Sequence, residues 1–288
     1  MDIPKIQWYP GHIAKAEKKL SEVINRVDLV IEVRDARIPL STGHPHLTKW
    51  IENKKHLLVI NRSDMISNNS IDVWTKWFKN FNISPLWCNS KQGIGIKEIC
   101  KSATAARLSI DQRRISRGMR IRPIRALMLG FPNVGKSALI NRIAQRKVVE
   151  SARKAGVTRS LRWIKLDNGI DLLDAPGVIP PDLKDQNKAL NLAICDDIGE
   201  AAYDLESVGK EFIKILSRLH MRPNANISTS KISKRYSVDI KKGFQDPDYW
   251  INLAAEKHTS GDKRRMANKL LEDFRNQMLG NISIELPL

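Results

Sequence analysis

Short apolar runs alternate with longer polar stretches over the first 180 residues of the chain. Such alternation predicts a mostly parallel sheet with helices on both faces. A polar or glycine-rich cluster follows each run, and ligands of open α/β sheets bind beyond the carboxyl ends of the strands. The five predicted strands are Leu29–Val33, Leu57–Ile60, Leu86–Cys88, Ala126–Leu129 and Ile170–Leu173.

The pattern becomes helical beyond Pro180 and Pro181, where apolar residues recur at helical spacing over 205–219 and again over 266–278. Between these two segments, Arg222–Lys242 is polar and contains a proline and a Ser/Lys cluster, which predicts a long loop or a partly mobile segment. The sequence therefore predicts an α/β domain over residues 1–181 and a small all-helical C-terminal domain over residues 182–288.

Composition limits the class of protein. The 288 residues are 42% hydrophobic and 28% charged, which suits a chain that buries a sizeable core. No apolar run approaches the ~20 residues that cross a bilayer, and the N-terminus lacks the apolar region of a signal peptide. Cys88, Cys100 and Cys195 share no metal-ligand spacing and cannot all pair. We predict a soluble, cytoplasmic monomer with no membrane contact.

The net charge of +18 is concentrated in one part of the chain. Residues 101–165 contain 17 lysines and arginines against two acidic residues. This concentration is typical of a surface that binds a polyanion such as RNA, although a solvated face or compensation by acidic neighbours would give the same composition. A second basic set in the C-terminal domain has the same alternatives: Lys263, Arg264, Arg265, Lys269 and Arg275.

One motif points to phosphate binding. Gly130–Ser137 fits the pattern G-x-x-x-x-G-K-[ST] between a predicted strand and the helix-compatible Ala138–Gln145, which predicts a P-loop NTPase fold. Its backbone N–H groups would surround the phosphates. Lys136 would reach the β- and γ-phosphates, and the Ser137 hydroxyl would ligate Mg²⁺. The predicted nucleotide contacts here are Asn133, Val134, Gly135, Lys136, Ser137 and Ala138.

Two loops after earlier strands would bind the base. In Asn61–Asp64, the Asp64 carboxylate can accept two hydrogen bonds from guanine, whereas adenine has no matching donors on that edge. Arg62 stands where lysine is usual, and its stem can lie over the base. Asn89 and Ser90 would complete the pocket after the next strand. An ordinary turn is the alternative for both loops.

Asp174–Gly177 fits D-x-x-G directly after the last predicted strand. The aspartate would hold Mg²⁺ and the Gly177 N–H would meet the γ-phosphate. Asp196–Gly199 also fits the pattern but follows helix-like sequence, so we favour the first. Thr158, between the P-loop and Asp174, would bring its hydroxyl to Mg²⁺ from a mobile loop, with a plain turn as the alternative.

The order of these motifs is unusual, because the base-reading loop precedes the phosphate loop. A circular permutation explains it, since domain termini often lie close together. With Trp8–His12 and Asp35–Pro39, the set resembles the circularly permuted GTPases of the ribosome biogenesis GTPase A type. The resemblance implies a GTPase that binds GTP and GDP, joins the immature large (50S) ribosomal subunit and its rRNA, and leaves after hydrolysis.

The resemblance also implies roles for residues outside the pattern. Val178 stands where many GTPases have a water-orienting glutamine, so we expect a low basal rate that the ribosomal subunit stimulates. By the resemblance, the catalytic residues are His12, Lys136 and Thr158, and Asn133 would help to hold K⁺. The alternative for His12 is that it only packs the N-terminal segment. The alternative for Asn133 is that it only stabilises its own loop. Alternative functions are an RNA-binding scaffold with negligible turnover and a factor for another RNA such as the small subunit.

Overall fold

The computed structural model describes residues 6, 22–47, 51, 54–149, 162–166, 169–175 and 185–287. Within these residues the sheet has six strands in the order β3-β2-β1-β4-β6-β5. All neighbours are parallel except β5 and β6. The prediction of a mostly parallel α/β sheet is therefore confirmed. The strands are β1 Leu29–Asp35, β2 Lys55–Asn61, β3 Leu86–Trp87, β4 Ile124–Gly130, β5 Arg162–Leu166 and β6 Ile170–Asp174.

Both faces of the sheet are covered. The central strand β1 is apolar on both sides because Leu29, Val30 and Val33 are fully buried, as in other parallel strands between two helical layers. Trp74 and Phe78 pack on one face together with residues of β2, and several residues of α2 and α3 pack on the other. The helices whose bounds lie within the described residues of this half are α1 Asn68–Lys79, α2 Ile96–Ile115 and α3 Lys136–Ile143, with a 3-10 turn at Ser63–Met65.

The sixth strand was missed by the sequence prediction. β5 is an edge strand that pairs antiparallel with β6, and only Ile164 of its five residues is buried. An edge strand exposes one of its margins to solvent, so it needs little apolar sequence. The short charged stretch therefore carried no strong strand pattern.

Six α-helices follow the sheet in the described residues 185–287, and two of them are the predicted segments at 205–219 and 266–278. The prediction of a long loop over Arg222–Lys242 is wrong, because this segment contains one helix and the start of another. The Ser228 and Asp239 side chains cap those helices, and Ile232 and Tyr236 are buried. The helices are α4 Gln186–Ile194, α5 Leu205–His220, α6 Thr229–Tyr236, α7 Ile240–Gln245, α8 Pro247–His258 and α9 Lys263–Arg275.

The last residues of the chain return to the loop after β1. The backbone N–H groups of Ile284 and Glu285 donate to the Arg37 carbonyl, and the half-buried Glu285 accepts through its carboxylate from the N–H groups of Leu40 and Ser41 at 2.7 and 3.0 Å. The largest hydrophobic cluster also contains residues of both the sheet and the later helices. A domain boundary at residues 181–182 stays a prediction. No helix in the described part of the chain is long and apolar enough to span a membrane.

Candidate nucleotide-binding site

The parallel register brings the predicted site residues to one edge of the sheet. Asp35 pairs with Asn61 at the ends of β1 and β2, and the end of β4 at Gly130 lies beside Val33 of β1. Asp174 closes β6 next to β4. Residues that are far apart in sequence therefore meet where an open α/β sheet binds its ligand.

The P-loop follows β4 and leads into α3. Gly135 has a φ of 96°, and a Cβ at this position would lie 2.2 Å from Asn61 Nδ2, so only glycine fits. α3 begins at Lys136 and continues through Ser137 and Ala138. Its free N-terminal N–H groups and its dipole favour an anion at this end. The loop is therefore built to hold phosphate groups.

Lys136 is buried within the P-loop. Its Nζ donates to the carbonyl oxygens of Gly130 and Phe131 at 2.9 and 2.7 Å. Burial lowers the pKa of Lys136 to about 8, while the nearby carboxylates of Asp174 and Asp197 oppose this shift. A phosphate group would add negative charge beside this amine and would therefore favour its protonated form.

The side chain of Asn61 connects three loops. Its Nδ2 donates to the Val134 carbonyl of the P-loop at 2.8 Å, and its Oδ1 accepts from the Ser90 N–H at 3.0 Å. Asn89 is buried and closes its own turn by accepting from the Gln92 N–H at 3.1 Å. The loops predicted to bind the base and the phosphates are thus held at one place.

Arg142 fixes the Ser90 loop from the opposite side, which the sequence did not reveal. From α3, its Nε donates to the Ser90 carbonyl at 3.0 Å and its Nη2 to the Lys91 carbonyl at 2.5 Å. By sequence alone, Arg142 is one of the 17 cations of residues 101–165. Its position two turns into the helix after the P-loop was the only signal for this role.

Arg62 reaches the P-loop with its guanidinium group. It has a left-handed φ of 62°, its Nη2 donates to the Asn133 carbonyl, and its Nη1 lies 3.1 Å from an Asp35 carboxylate oxygen. Asp64 lies in the following 3-10 turn, half-buried, and its carbonyl accepts from Gln277 Nε2 at 2.6 Å. The C-terminal part of the chain therefore supports the segment that we predict to bind guanine.

Asp174 and Ser137 suit a magnesium ion. Asp174 is 2% exposed, and its Oδ1 has no hydrogen-bond partner among the described residues. Burial raises the pKa of Asp174, while the charges of Lys136 and Arg162 oppose this shift. Carboxylate and hydroxyl oxygens are the hard ligands that Mg²⁺ prefers, so these residues fit the ion that a GTPase requires.

Asn133 contacts the turn that holds the second D-x-x-G match. Its Nδ2 donates to the carbonyl of Asp196 at 2.7 Å, so the second D-x-x-G match, Asp196–Gly199, lies against the P-loop after α4. Asp197 is fully buried, and neither carboxylate oxygen has a hydrogen-bond partner in the described part of the chain. Burial raises the pKa of Asp197 to about 8, and the Asp35 carboxylate adds to the shift.

Three of the predicted site residues lie outside the described residues: His12, Thr158 and Gly177. Their proposed contacts with water, Mg²⁺ and the γ-phosphate stay predictions. The other predicted residues lie at the carboxyl edge of the sheet, in the strand ends and loops described above and, for Lys136, Ser137 and Ala138, in the first turn of α3.

Comparisons with known proteins agree with this architecture. Residues 125–218 match the family model described as 50S ribosome-binding GTPase. The chain is 32% identical to ribosome biogenesis GTPase A from Bacillus cereus over 285 residues, covering 95% of this chain and 96% of that protein. It is 34% identical to the protein of the same name from Priestia megaterium, over 77% of this chain and 79% of the relative.

A solved structure shows the same fold. The crystal structure of GNP-bound YlqF from T. maritima aligns with a TM-score of 0.63 at 20% identity, covering 95% of this chain and 98% of that one. The predicted fold class and the family resemblance are both confirmed. By its similarity to full-length relatives, this chain belongs to the ribosome biogenesis GTPase A family.

Proposed function

We propose that this protein is a GTP-hydrolysing assembly factor for the large ribosomal subunit. It binds the immature 50S particle with GTP bound and leaves after hydrolysis to GDP. The observation that carries the GTPase part is Asn61, whose amide joins the loop after β2 to both the P-loop and the Ser90 loop. The 50S partner is proposed from the names of the matched family model and relatives.

The base would bind between the Asp64 and Ser90 loops. The Asp64 carboxylate would accept hydrogen bonds from the ring N–H and the exocyclic amino group of guanine. Asn presents one acceptor and one donor instead, which matches xanthine, a base with a carbonyl in place of the amino group. We therefore expect Asp64→Asn to lower the affinity for GTP roughly 100-fold, by ~3 kcal/mol for an unpaired buried polar group, and to raise the affinity for XTP. Competition against a fluorescent GDP analogue measures both, and an unchanged preference for GTP would place the base elsewhere.

The phosphates would lie on the P-loop N–H groups, with Lys136 and the N-terminus of α3 supplying positive charge. Ser137 and Asp174, with Thr158, would hold Mg²⁺, which neutralises charge on the β- and γ-phosphate oxygens when bound. The Gly177 N–H would contact the γ-phosphate. Asn133 would help to hold K⁺ beside the phosphates, a role that a comparison of turnover in KCl and NaCl tests directly.

Hydrolysis would depend on the ribosomal particle. Val178 cannot orient the attacking water through its side chain, so His12 would do so when the protein is bound to the particle. The basal rate would be low for the same reason. The compartment in which the protein acts would then be the one that assembles ribosomes, which for a bacterial cell is the cytoplasm.

The test is GTP turnover by the purified protein with and without 50S particles, beside 30S particles and the variants Lys136→Ala and His12→Ala. We expect a large stimulation by 50S alone, which Lys136→Ala abolishes by losing nucleotide affinity. His12→Ala should retain binding of GTP and of 50S but lose the stimulation. Binding to 50S without turnover would support an RNA-binding scaffold instead, and stimulation by 30S would support a small-subunit factor.

A further inference from the structure

Part of the charge of the basic stretch, the cation-rich residues 101–165, is paired within the protein. Arg114 lies 2.8 Å from the Asp28 carboxylate and 3.3 Å from that of Asp111. Arg107 also pairs with Asp111, and Arg122 also pairs with Asp28. Two carboxylates therefore compensate three of the arginines, so local compensation accounts for the part of the stretch near the amino ends of β1 and β4. Any RNA-binding surface must be sought among the other cations.

A basic groove lies along the edge strand β5 and is formed by later residues of this stretch. It has a volume of about 360 Å³, and no carboxylate lines it among the described residues. Its four cations are all exposed, and none of the ion pairs found in the described part of the chain involves them. The groove is lined by Arg146, Lys147, Val148, Arg162, Trp163, Ile164 and Lys165.

Trp163 gives this groove an aromatic surface. Its side chain is 44% exposed, whereas its neighbour Ile164 on the other face of the strand packs into the core. The Arg125 guanidinium lies 5.7 Å from the centroid of the Trp163 ring, a cation–π distance that orients the indole. A half-exposed tryptophan among exposed cations is a suitable platform for a nucleobase, because every base can stack on an aromatic face.

The groove also lies close to the predicted magnesium site. Arg162 pairs in register with Asp174 across β5 and β6, and its Nη1 donates to the Val148 carbonyl at 3.1 Å. Arg162 therefore lies between the groove and the carboxyl edge of the sheet. A polyanion held here would run alongside the phosphate end of the nucleotide site.

We propose that this groove binds single-stranded RNA, with an unpaired base stacked on Trp163 and adjacent phosphates bound by Arg146, Lys147 and Lys165. A duplex hides the faces of its bases in the stack, so only an unpaired nucleotide can use the indole. An acidic peptide could use the cations but would gain little from the exposed ring. The inference rests on the proposed function for the source of the RNA, which would be an unpaired segment of the immature large subunit.

The first test measures the affinity for a fluorescein-labelled 12-nucleotide single-stranded RNA and for a 12-base-pair RNA duplex, by anisotropy. We expect Trp163→Ala to weaken single-strand binding roughly 5- to 100-fold, the effect of losing one base–aromatic stack, and to leave duplex binding within about twofold. Trp163→Phe should restore most of the affinity. Phe81→Ala, which removes another exposed aromatic side chain at 58% exposure, should bind as the wild type does.

The second test separates the cations from the ring. Arg146→Gln with Lys147→Gln should reduce the slope of log affinity against log salt by roughly 1.4, since each lost phosphate contact with a single strand lowers it by about 0.7. The charge-matched control Lys76→Gln with Lys79→Gln, exposed on α1, should keep the wild-type slope. Equal losses in the groove and control variants, or wild-type single-strand affinity in Trp163→Ala, would overturn the proposal.

Failure of this proposal is distinguishable from failure of the proposed function. If 50S particles stimulate GTP turnover equally in the wild type and in Trp163→Ala, and RNA affinity is also equal, the groove assignment is wrong and the GTPase role stands. If Trp163→Ala selectively loses single-strand binding while 50S particles stimulate nothing, the groove stands and the proposed function fails. Affinity for a fluorescent GDP analogue, unchanged in all five variants, shows that the nucleotide site is intact.

Discussion

At the scale of single residues, Asn61 is the position on which the nucleotide site depends most. Both hydrogen-bonding atoms of its amide are used, one on the Val134 carbonyl and the other on the Ser90 N–H. All of these groups are buried, so no water would replace a lost partner without some rearrangement. Asn61 therefore determines the spacing between the base loops and the P-loop.

We expect Asn61→Ala to lower the free energy of unfolding by about 1–3 kcal/mol, because it leaves two buried backbone groups without partners. The affinity for GDP should fall at least 10-fold, since the loops would lose their relative position. Urea unfolding and titration with a fluorescent GDP analogue measure the two effects. Asn69→Ala is the control, because among the described residues the Asn69 side chain bonds only to the exposed Asn224 side chain; a similar loss in both variants would contradict this view.

Asp197 should make the stability of the protein depend on pH. Burial and the Asp35 carboxylate raise the pKa of Asp197 to about 8, whereas an unfolded aspartate titrates near 4. Between these values the folded protein keeps a proton that the unfolded chain releases. The free energy of unfolding contributed by this group therefore falls as the pH rises from about 4 to 8 and changes no further above 8.

Asp197→Asn removes this titration, so we expect the variant to gain at least about 1 kcal/mol relative to the wild type between pH 5.5 and 8.5. Thermal unfolding at the two pH values measures the change. The exposed Asp72 on α1 supplies the control, as Asp72→Asn should leave the pH dependence unaltered. A constant difference between variant and wild type across this range would mean that Asp197 is ionised in the folded protein.

At the scale of elements, the buried strands were predictable and the contacts between elements were not. β1, β2 and β4 are mostly apolar because packed residues cover both of their faces. β5 is an exposed edge, and α6 is amphipathic but short, with its buried residues Ile232 and Tyr236 four positions apart. That spacing and the capping Ser228 were local signals for α6. β5 forms through its antiparallel pairing with β6, which is not encoded in the residues of β5 alone.

The motifs of the candidate site were also predictable from the sequence, whereas the contacts between them were not. The P-loop and the loops after β2 and β6 were found because each follows a strand and has a recognisable residue pattern. The contacts of Arg142 with Ser90, of Arg62 with Asp35 and of Asn133 with Asp196 depend on how distant segments fold together. No pattern within a single segment encodes them.

α5 and α9 pack closely through a glycine. A Cβ placed on Gly209 would lie 2.8 Å from the Cβ of Ala267, closer than side-chain carbons approach in folded proteins. We expect Gly209→Ala to lower the free energy of unfolding by about 1–3 kcal/mol through overpacking, despite the better helix propensity of alanine. Urea unfolding measures this, with Arg218→Ala on the exposed side of the same helix as the control. A stabilised Gly209→Ala would show that the two helices can move apart at no cost.

At the scale of the whole molecule, the end of α4 joins the nucleotide site to the C-terminal helices. Four successive carbonyls accept hydrogen bonds from distant side chains. Arg275 of α9 donates to Ala193 and Ile194 at 2.8 and 2.9 Å, and Arg37 donates to Cys195 at 3.1 Å. The fourth carbonyl, of Asp196, accepts from Asn133 of the P-loop. The last turn of a helix leaves carbonyls without intrahelical partners, and here three parts of the chain supply them.

This junction offers a route by which the bound nucleotide would influence the C-terminal helices. The P-loop backbone would hold the phosphates of GTP, so a change at the γ-phosphate would alter the position of Asn133 and its bond to the Asp196 carbonyl. We expect amide exchange over residues 193–199 to be slower with a non-hydrolysable GTP analogue than with GDP, by roughly 3- to 10-fold for ~1 kcal/mol of added local stability. Asn133→Ala should remove this difference while exchange in α8 remains as in the wild type. Identical exchange with the two nucleotides in the wild-type protein would mean that the junction is a static support, and the signal to the helices would then have to leave the site through another segment.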